Sequence, residues 1–431
     1  YSIDNGITWT STKPVWLTNF TEFGPGGISA RSYNATVSAQ SGTEYNSHTI
    51  ALMNATEKGT STTPYNLSNS RGQIEVQNTA NCYVVSAPGF YSFPLVYGNA
   101  IKNSTINTAA YTSTATGTTI LKRFVNHTGN GITDPWISKN ADCAPSRAEL
   151  VWQDVMSLIT DIQYVSGANG GRISFKVDKN HIRQGNAIVA IKDGNDNILW
   201  SWHIWIVDNY PTVLDVASQG GDGSKTVHLM SHLLGAYERV QSQYNADAYR
   251  EFGMQYQWGR KDPFPAHDVR VNTNFYDGNG KSFDFLWEQR GNDVDYGKTD
   301  AQQARGAVLT MKQSIEHPSA IVSHQSFWLY ECFPHGLVSY FKDRWVFLYP
   351  WNQPSLTGNP EDVGGKTVFD PSPYGFRIMS QKEAVTLRYA YYYESKSGIQ
   401  TPLPGSIYDG SFLSGYTGGN EVIFAVAQAR S

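Results

Sequence analysis

Several histidines and cysteines stand at spacings that could support chemistry. His228 and His232 are four residues apart, as in a helical zinc-protease motif, but Leu229 stands where that motif has its catalytic glutamate. Cys332 and His335 bring a thiol near an imidazole in the sequence, although sequence proximity does not fix the geometry of a nucleophilic pair. We expect the histidine pair to be structural, and we predict no catalytic residue.

Acidic residues offer two further kinds of site. Residues 193–197 and 277–281 resemble calcium loops, but both lack the glycine that the sixth position of such a loop requires. Their Asp-Gly and Asn-Gly steps instead favour hairpin turns. We predict no cofactor or metal. The alternative is a Ca²⁺ ion bound by carboxylates of residues 359–362. The acidic pairs that could serve a glycosidase are interpreted as surface carboxylates, because nothing fixes their separation: Asp284 with Glu288, and Asp293 with Asp295.

The aromatic residues of the C-terminal third are the best candidates for ligand contact. Most of these rings are expected to pack in a core. Trp351 is followed by Asn352, Gln353 and Pro354, which are typical of a loop, and a tryptophan in a loop can stack on a glycan or grip a protein. We therefore predict a ligand-binding surface formed by Trp328, Trp345, Trp351, Asn352 and Gln353.

Composition narrows the class of protein. The 431 residues exceed one ordinary core, so two or three domains are expected. A net charge of -4 without a basic region argues against nucleic-acid binding. Sparse charges with abundant Gly, Ser, Thr and Asn are typical of exported, turn-rich β proteins. Three cysteines are too few for a disulfide framework, although one disulfide could form in an oxidising compartment. No apolar run reaches membrane-helix length, and the start at Tyr1 without a methionine leads us to expect a mature or trimmed chain.

One stretch, residues 185–205, organises the prediction of secondary structure. Two apolar runs flank the turn at 193–197, which predicts a β-hairpin. The second run alternates, with Trp200, Trp202 and Ile204 on one face and Ser201 and His203 on the other. Three tryptophans in six residues bury much more area than an ordinary strand does.

The remaining pattern predicts a multidomain, mainly β chain. Residues 1–75 and 76–212 are expected to form two immunoglobulin-like β-sandwiches, the second of which ends at the hairpin. Residues 213–431 are expected to form an α+β domain. Predicted strands include 49–52, 148–152, 162–165 and 172–177, and residues 78–100 are predicted to form two strands around a Pro-Gly turn. Helices are predicted at 300–311 and, with a capping box, at 380–389. Residues 102–147 form a long connection that is either functional or disordered.

Five segments together are distinctive: Ala-Asn-Cys-Tyr at 80–83, Gly-Asn-Ala at 185–187, Trp-Ser-Trp-His-Ile-Trp at 200–205, Tyr-Gln-Trp-Gly-Arg-Lys-Asp-Pro-Phe-Pro at 256–265, and residues 366–377. In these segments the chain resembles the exported FISUMP-type (major paralogous domain) proteins of Bacteroidetes, some of which look like fimbrial tip or adhesin subunits. The opening residues 2–9, with Trp16, Leu17 and residues 24–27, are similar to BACON-type domains. The chain departs from the family at Ser372, where a cysteine is usual, and at 232–236.

This resemblance implies a C-type-lectin-like C-terminal domain, related in fold to formylglycine-generating enzymes, together with a cell-surface location and a binding role. The sequence thus leads to the expectation of an extracellular adhesin, with a pilus-tip subunit as one form of that role. The partners would be a host or bacterial surface protein or glycan, with pilin subunits added by strand pairing. The alternatives are a glycan-binding protein of polysaccharide capture and, less favoured because Cys332 is the one cysteine of that domain, a formylglycine-generating-type enzyme. Within 256–265, Arg260 and Asp262 are expected to pair and lock a turn.

Overall fold

The structure is a computed structural model that describes part of the chain. The described residues are 45–114, 123–217, 226–238, 253–257, 260–263, 274–276, 282–284, 311–319, 352–354, 363–378, 422–424 and 427–429. The chain divides into two compact units, Tyr1–Ser47 and His48–Ser431. The fold given below is that of the second unit.

The described residues are mainly β. The two α-helices are α1 (Ser47–Asn54) and α2 (Met311–Glu316), and short 3₁₀ helices lie at Thr108–Ala110, Ile137–Lys139 and Ala168–Gly170. The strands of the first half are β1 (Tyr65–Asn66), β2 (Cys82–Val85), β3 (Gly89–Pro94), β4 (Ile101–Lys102), β5 (Thr105–Ile106), β6 (Arg147–Gln153), β7 (Thr160–Val165), β8 (Arg172–Val177), β9 (Gly185–Lys192) and β10 (Ile198–Ile206). The later strands are β11 (Val213–Ala217), β12 (Thr226–Met230), β13 (Gln255–Gln257), β14 (Asn274–Tyr276), β15 (Ser282–Asp284), β16 (Asn352–Pro354), β17 (Val363–Lys366), β18 (Phe376–Ile378), β19 (Val422–Phe424) and β20 (Ala427–Ala429).

Two sheets form the core of this unit. The larger has the strand order β15-β14-β6-β9-β10-β2, and the smaller has the order β1-β3-β8-β7. Phe93 of the smaller sheet stacks on Tyr83 at a ring-centroid distance of 5.1 Å and meets Trp202 at 5.0 Å, so the sheets pack face to face through aromatic rings. A further four-stranded sheet has the order β11-β12-β20-β18, and β4-β5, β13-β19 and β16-β17 form strand pairs.

The predicted hairpin is confirmed. β9 and β10 pair antiparallel, and β10 also pairs with β2 in parallel, so the tryptophan strand lies inside the larger sheet. The turn is held by Asp193, whose carboxylate accepts hydrogen bonds from the backbone N–H groups of Asn195 and Asn197 at 2.9 Å each. The acidic residues at 193–197 therefore form the hairpin turn that was predicted in place of a calcium loop. β14 and β15, which flank the second predicted turn, pair antiparallel, while residues 277–281 themselves lie outside the described residues.

One predicted strand is wrong. Residues 49–52 lie inside α1, where Thr49 and Leu52 are the buried residues. Their spacing of three fits a helix, whose faces repeat every 3.6 residues, and a run of four residues is too short to separate the two periods. The strand predictions at 148–152, 162–165 and 172–177 are confirmed as β6, β7 and β8, and the two strands predicted within 78–100 are β2 and β3.

The connection at 102–147 is largely packed rather than open. Residues 102–114 and 123–147 are described, and Phe124, Ile132, Ile137 and Cys143 are buried in the core. The polar side chain of Asn140 holds one turn, since its carbonyl oxygen accepts from the N–H of Thr133 at 2.9 Å. This segment therefore belongs to the framework.

The domain boundaries at 75/76 and 212/213 remain predictions, as do the immunoglobulin-like and lectin-like folds. Strand pairing crosses the first position, where Tyr65 pairs with Tyr91, and it crosses the second, where Tyr276 pairs with Gln153. The predicted helix at 300–311 meets the structure only at Met311, where α2 begins; residues 300–310 and the predicted helix at 380–389 lie outside the described residues.

Candidate functional site

The motif segments, far apart in the sequence, meet on the two faces of β10. Every residue from Leu199 to Ile206 is buried. The face that carries Trp200 and Trp202 packs toward Tyr97, Phe369 and Phe93, in agreement with the predicted alternation. The opposite face carries Ser201 and His203, which contact Tyr256, Lys261 and Asp262. The polar groups around β10 are therefore the first place to look for chemistry.

Asn81 connects β10 to the segment 366–373. Its Nδ2 donates hydrogen bonds to the carbonyl oxygens of Val368 at 2.6 Å and Asp370 at 2.9 Å, and its Oδ1 accepts one from Trp200 Nε1 at 3.0 Å. Asn99 adds a hydrogen bond to the carbonyl oxygen of Thr367 at 2.6 Å. These four bonds lie at buried positions, and they fasten the segment to the sandwich.

Within that segment, Asp370 and Lys366 satisfy the backbone of a tight turn. The Asp370 carboxylate accepts from the N–H groups of Ser372 at 2.9 Å and Ile378 at 3.1 Å. The Lys366 ammonium donates to the carbonyl oxygens of Ser372 at 2.7 Å and Pro373 at 3.0 Å. Lys366 and Asp370 are 3 % and 0 % exposed, so these charges stabilise the turn and are not available to a ligand.

A chain of hydrogen bonds runs from His203 to Asp154. Asn186 donates through Nδ2 to Asp154 Oδ2 at 2.9 Å and to the Gly235 carbonyl oxygen at 3.0 Å, which leaves its Oδ1 to accept from His203 Nε2 at 2.8 Å. His203 is therefore the neutral Nε2–H tautomer, and its Nδ1 faces the Tyr256 hydroxyl at 3.5 Å. Burial lowers the pKa of His203 to about 3.

Asp154 ends this chain. It also accepts from the Asn186 N–H at 2.6 Å and from the Tyr237 hydroxyl at 2.8 Å. Burial raises the pKa of Asp154 to about 6, although the hydrogen bonds from Asn186 and Tyr237 act in the opposite direction. An imidazole and a carboxyl with such displaced pKa values often belong to an active site. His203, however, is 1 % exposed, so its imidazole is closed off from a substrate, whereas Asp154 is partly exposed.

Ser201, Lys261 and Asp262 form the second polar cluster on this face. Ser201 Oγ donates to Asp262 Oδ1 at 2.7 Å, and the Lys261 ammonium lies 2.7 Å from Asp262 Oδ2 and 4.5 Å from the centre of the Trp200 ring. Burial lowers the pKa of Lys261 to about 8, against the opposing effect of Asp262. A serine beside a lysine of lowered pKa can act as a nucleophile with its base. Ser201 and Lys261 are 0 % and 2 % exposed, so this pair is held in a closed core.

The predicted Arg260–Asp262 pair is corrected by these contacts. Lys261 is the cation that faces Asp262, at 2.7 Å. Arg260 instead donates through Nη2 to the carbonyl oxygens of His317 at 3.0 Å and Pro318 at 3.2 Å, directly after α2. A cation at the C-terminal end of a helix is favoured by the unpaired carbonyl groups there.

A third cluster surrounds the sulfur of Cys143. His127 Nδ1 lies 3.6 Å from Sγ, Asn126 Nδ2 lies 3.4 Å from it, and the Tyr97 hydroxyl lies 3.8 Å from it. Cys143 and His127 are 2 % and 4 % exposed. Burial raises the pKa of Cys143 and lowers that of His127, so the thiol and the imidazole are both uncharged at neutral pH. The sequence offered no spacing that joins these residues, which are 16 and 46 positions apart.

The structure places two of the five predicted ligand-binding residues. Asn352 and Gln353 lie in β16, which pairs with β17, and Asn352 is opposite Lys366. Trp328, Trp345 and Trp351 lie outside the described residues, as do Cys332, His335, Glu288, Asp293, Asp295 and residues 359–362. His228 lies in strand β12 and His232 follows that strand, so the two are not on a helical face. His232 Nδ1 is 2.9 Å from Ser231 Oγ, which supports the structural interpretation.

The described residues thus define a mainly β protein whose polar clusters are built into its core. Among them, no group of three or more His, Cys, Asp or Glu side chains could hold a metal ion. No helix in the described part of the chain is long and apolar enough to cross a membrane. Comparison with protein-family models, with curated proteins and with solved structures gives no match to this chain.

Proposed function

We propose that this protein is an exported, cell-surface binding protein that recognises its ligand through the loops between about residues 287 and 365. In this proposal residues 213–431 form a lectin-like binding domain, and Trp328, Trp345, Trp351, Asn352 and Gln353 contact the ligand. The ligand is a protein or glycan of a host or bacterial surface. A pilus-tip adhesin is the specific form of this role that the resemblance in the five motif segments favours.

The observation that carries the proposal is the anchoring of residues 366–370. Lys366 ends β17 and pairs with Asn352 of β16, while the residues that follow it are held by Asn81 and Asn99. The β16-β17 pair therefore begins at a point fixed to the sandwich. A rigid attachment limits the conformational entropy that a binding loop loses when it engages its partner.

The polar clusters support binding over catalysis. The His203–Asp154 chain and the Ser201–Lys261–Asp262 cluster have residue types used by enzymes, yet all of these residues except the partly exposed Asp154 are buried. Each of them joins β10 to a different segment of the chain. Their role in this proposal is to hold the framework from which the loops project.

Binding of the full-length protein to intact epithelial and bacterial cells tests the proposal. We expect saturable binding that falls at least about tenfold in Trp351→Ala and in the double variant Asn352→Ala/Gln353→Ala, since a few residues usually dominate an interface. The control is Ile74→Ser, which changes a residue that is 78 % exposed and lies outside the predicted surface. Equal binding by all of these proteins would refute the assignment of the loops.

The glycan-binding alternative rests on the same aromatic residues, because sugar rings stack on exposed aromatic rings. Pretreatment of the cells separates the two ligands: proteases remove a protein ligand, and glycosidases remove a glycan. A glycan array probed with and without EDTA then tests calcium. Specific calcium-dependent binding on the array would overturn the protein-ligand form, and silence across the array would overturn the glycan form.

A further inference from the structure

The outer face of the smaller sheet carries an arginine without a counterion. Alternate residues of β8, beginning with Ile173, are buried in the core, so Arg172 and Lys176 point to the opposite face of the sheet. The Lys176 ammonium is 2.7 Å from an Asp178 carboxylate oxygen, and Asp178 and Asp161 both raise the pKa of Lys176. In the described part of the chain no carboxylate pairs with Arg172. Of the two cations of β8, Arg172 is therefore the one that is not neutralised.

The guanidinium of Arg172 is only partly covered. Its cross-strand neighbours are Val165 and Pro94, whose side chains have no polar group. Its Nε atom is buried without a hydrogen-bond partner, while Nη1 and Nη2, which also make no hydrogen bond to the described residues, are accessible to solvent. The Nη groups of a guanidinium form a rigid fork that matches the two oxygens of a carboxylate. The exposed end of Arg172 is therefore suited to bind an anion from solution.

Two neutral polar side chains lie beside Arg172 on the same face. Gln163 of β7 is exposed and directly opposite the half-buried Ser174, which is two residues from Arg172 along β8. Paired Cβ atoms are about 4.5–5.5 Å apart and two residues of a strand span about 6.4–6.8 Å, so the three side chains share one small area. Neither the Ser174 hydroxyl nor the Gln163 amide makes a hydrogen bond to the described residues. Both groups can donate and accept, as the hydroxyl groups of a sugar do.

We propose that Arg172, Ser174 and Gln163 form a binding site for an acidic sugar. Arg172 holds the carboxylate, and the two neutral side chains bind hydroxyl groups of the same sugar ring. One carboxylate balances the single charge of Arg172, whereas a phosphate dianion would leave a net negative charge. An acidic peptide would bring further carboxylates to side chains that carry no charge. The site lies on a sheet of the core, so it is a second ligand site in addition to the loops proposed above.

An NMR titration of the ¹⁵N-labelled full-length protein with methyl glucuronide tests the site in the wild type. Because Arg172 Nε is buried, its proton is protected from exchange with water and its signal reports on the guanidinium. We expect this signal to shift saturably with methyl glucuronide and to stay fixed with methyl glucoside, which lacks the carboxylate. No shift with the glucuronide at millimolar concentrations would overturn the site. An equal response to acetate or to a tetra-aspartate peptide would overturn the assignment to a sugar.

Substitutions then separate the charge of the site from its geometry. Arg172→Met keeps the apolar stem and should abolish glucuronide binding, while Arg172→Lys keeps the charge without the fork and should bind at least about tenfold more weakly. Ser174→Ala and Gln163→Ala should each reduce the preference for glucuronide over acetate. The matched control is Arg71→Met, which removes an exposed arginine elsewhere and should bind like the wild type. Equal glucuronide affinity in the wild type and in Arg172→Met would refute the proposal.

Discussion

Replacement of His203 by glutamine should change how the stability of the protein depends on pH. His203 is neutral and buried, and its pKa falls from an ordinary value of 6.5 to about 3. The folded state binds a proton on the His203 imidazole more weakly than the unfolded chain does. The stability that His203 contributes is therefore fully present above about pH 6.5, and it is lost as the pH falls toward 3. The variant glutamine keeps a side-chain N–H for Asn186 Oδ1 and does not titrate.

The size of this effect follows from proton linkage. With the two pKa values above, His203 removes about 2 kcal/mol of stability between pH 7 and pH 5. Asp154 acts in the opposite direction, since its pKa is raised from 3.8 to about 6 and protonation relieves the buried charge as the pH falls. Its contribution over the same interval is a gain of about 1 kcal/mol. Asp154 therefore offsets about half of the loss that His203 causes in the wild type.

Urea unfolding at pH 7 and pH 5 measures the difference directly. His203→Gln should gain about 2 kcal/mol of stability relative to the wild type on going from pH 7 to pH 5. Asp154→Asn, which removes the opposing group, should lose about 1 kcal/mol relative to the wild type over the same interval. If both variants follow the pH dependence of the wild type, the reasoning from burial is refuted, whatever their stability at one pH.

Three other substitutions test the framework around β10. Lys261→Met leaves the Asp262 carboxylate buried without its cation and should cost about 3–5 kcal/mol in urea unfolding, whereas Lys261→Met/Asp262→Leu should recover part of that loss. In Gly98→Ala, the added methyl group would lie 2.2 Å from Asn81 Oδ1. The free energy of unfolding should therefore fall by about 1–3 kcal/mol. An unchanged melting temperature would contradict this contact. Tyr237→Phe removes a hydrogen bond to the Asp154 carboxylate and should raise the pKa of Asp154 above about 6 in an NMR titration; a lower pKa would contradict the hydrogen-bonding role.

The parts of the fold that could be predicted from sequence are those with a strong local pattern. The β9-β10 hairpin has two long apolar runs and a turn with a carboxylate that can bond its own backbone, so both strands and the turn follow from neighbouring residues. Residues 49–52 carry too short a pattern, and they are helical. That Asp262 pairs with a neighbouring cation could be predicted, because the residues are adjacent in the sequence. Which cation it pairs with could not, because Lys261 is directed to Asp262 by the position of β10 and Arg260 is directed to the end of α2.

The candidate sites were harder to predict because their residues come together only through the fold. Nothing in the spacing of His127, Cys143 and Tyr97 joins them, and the thiol–imidazole pair that the sequence did offer, Cys332 with His335, is a different one. The displaced pKa values of His203 and Asp154 could not be predicted from the sequence either, because burial in the fold produces both shifts. Burial cannot be read from a single polar residue in a strand.

The placement of these polar groups has a consequence for how the proposed binding loops are supported. An apolar core of this size could fold, but apolar contacts tolerate small shifts between layers. Buried hydrogen bonds require particular partners, because a lost partner leaves a desolvated polar group. Asn81, Asn186 and Lys261 each join β10 to another segment in this way, and Asn81 holds the residues directly after β17. The framework is thereby fixed in one arrangement, which is the condition under which a loop surface can be selective for its partner.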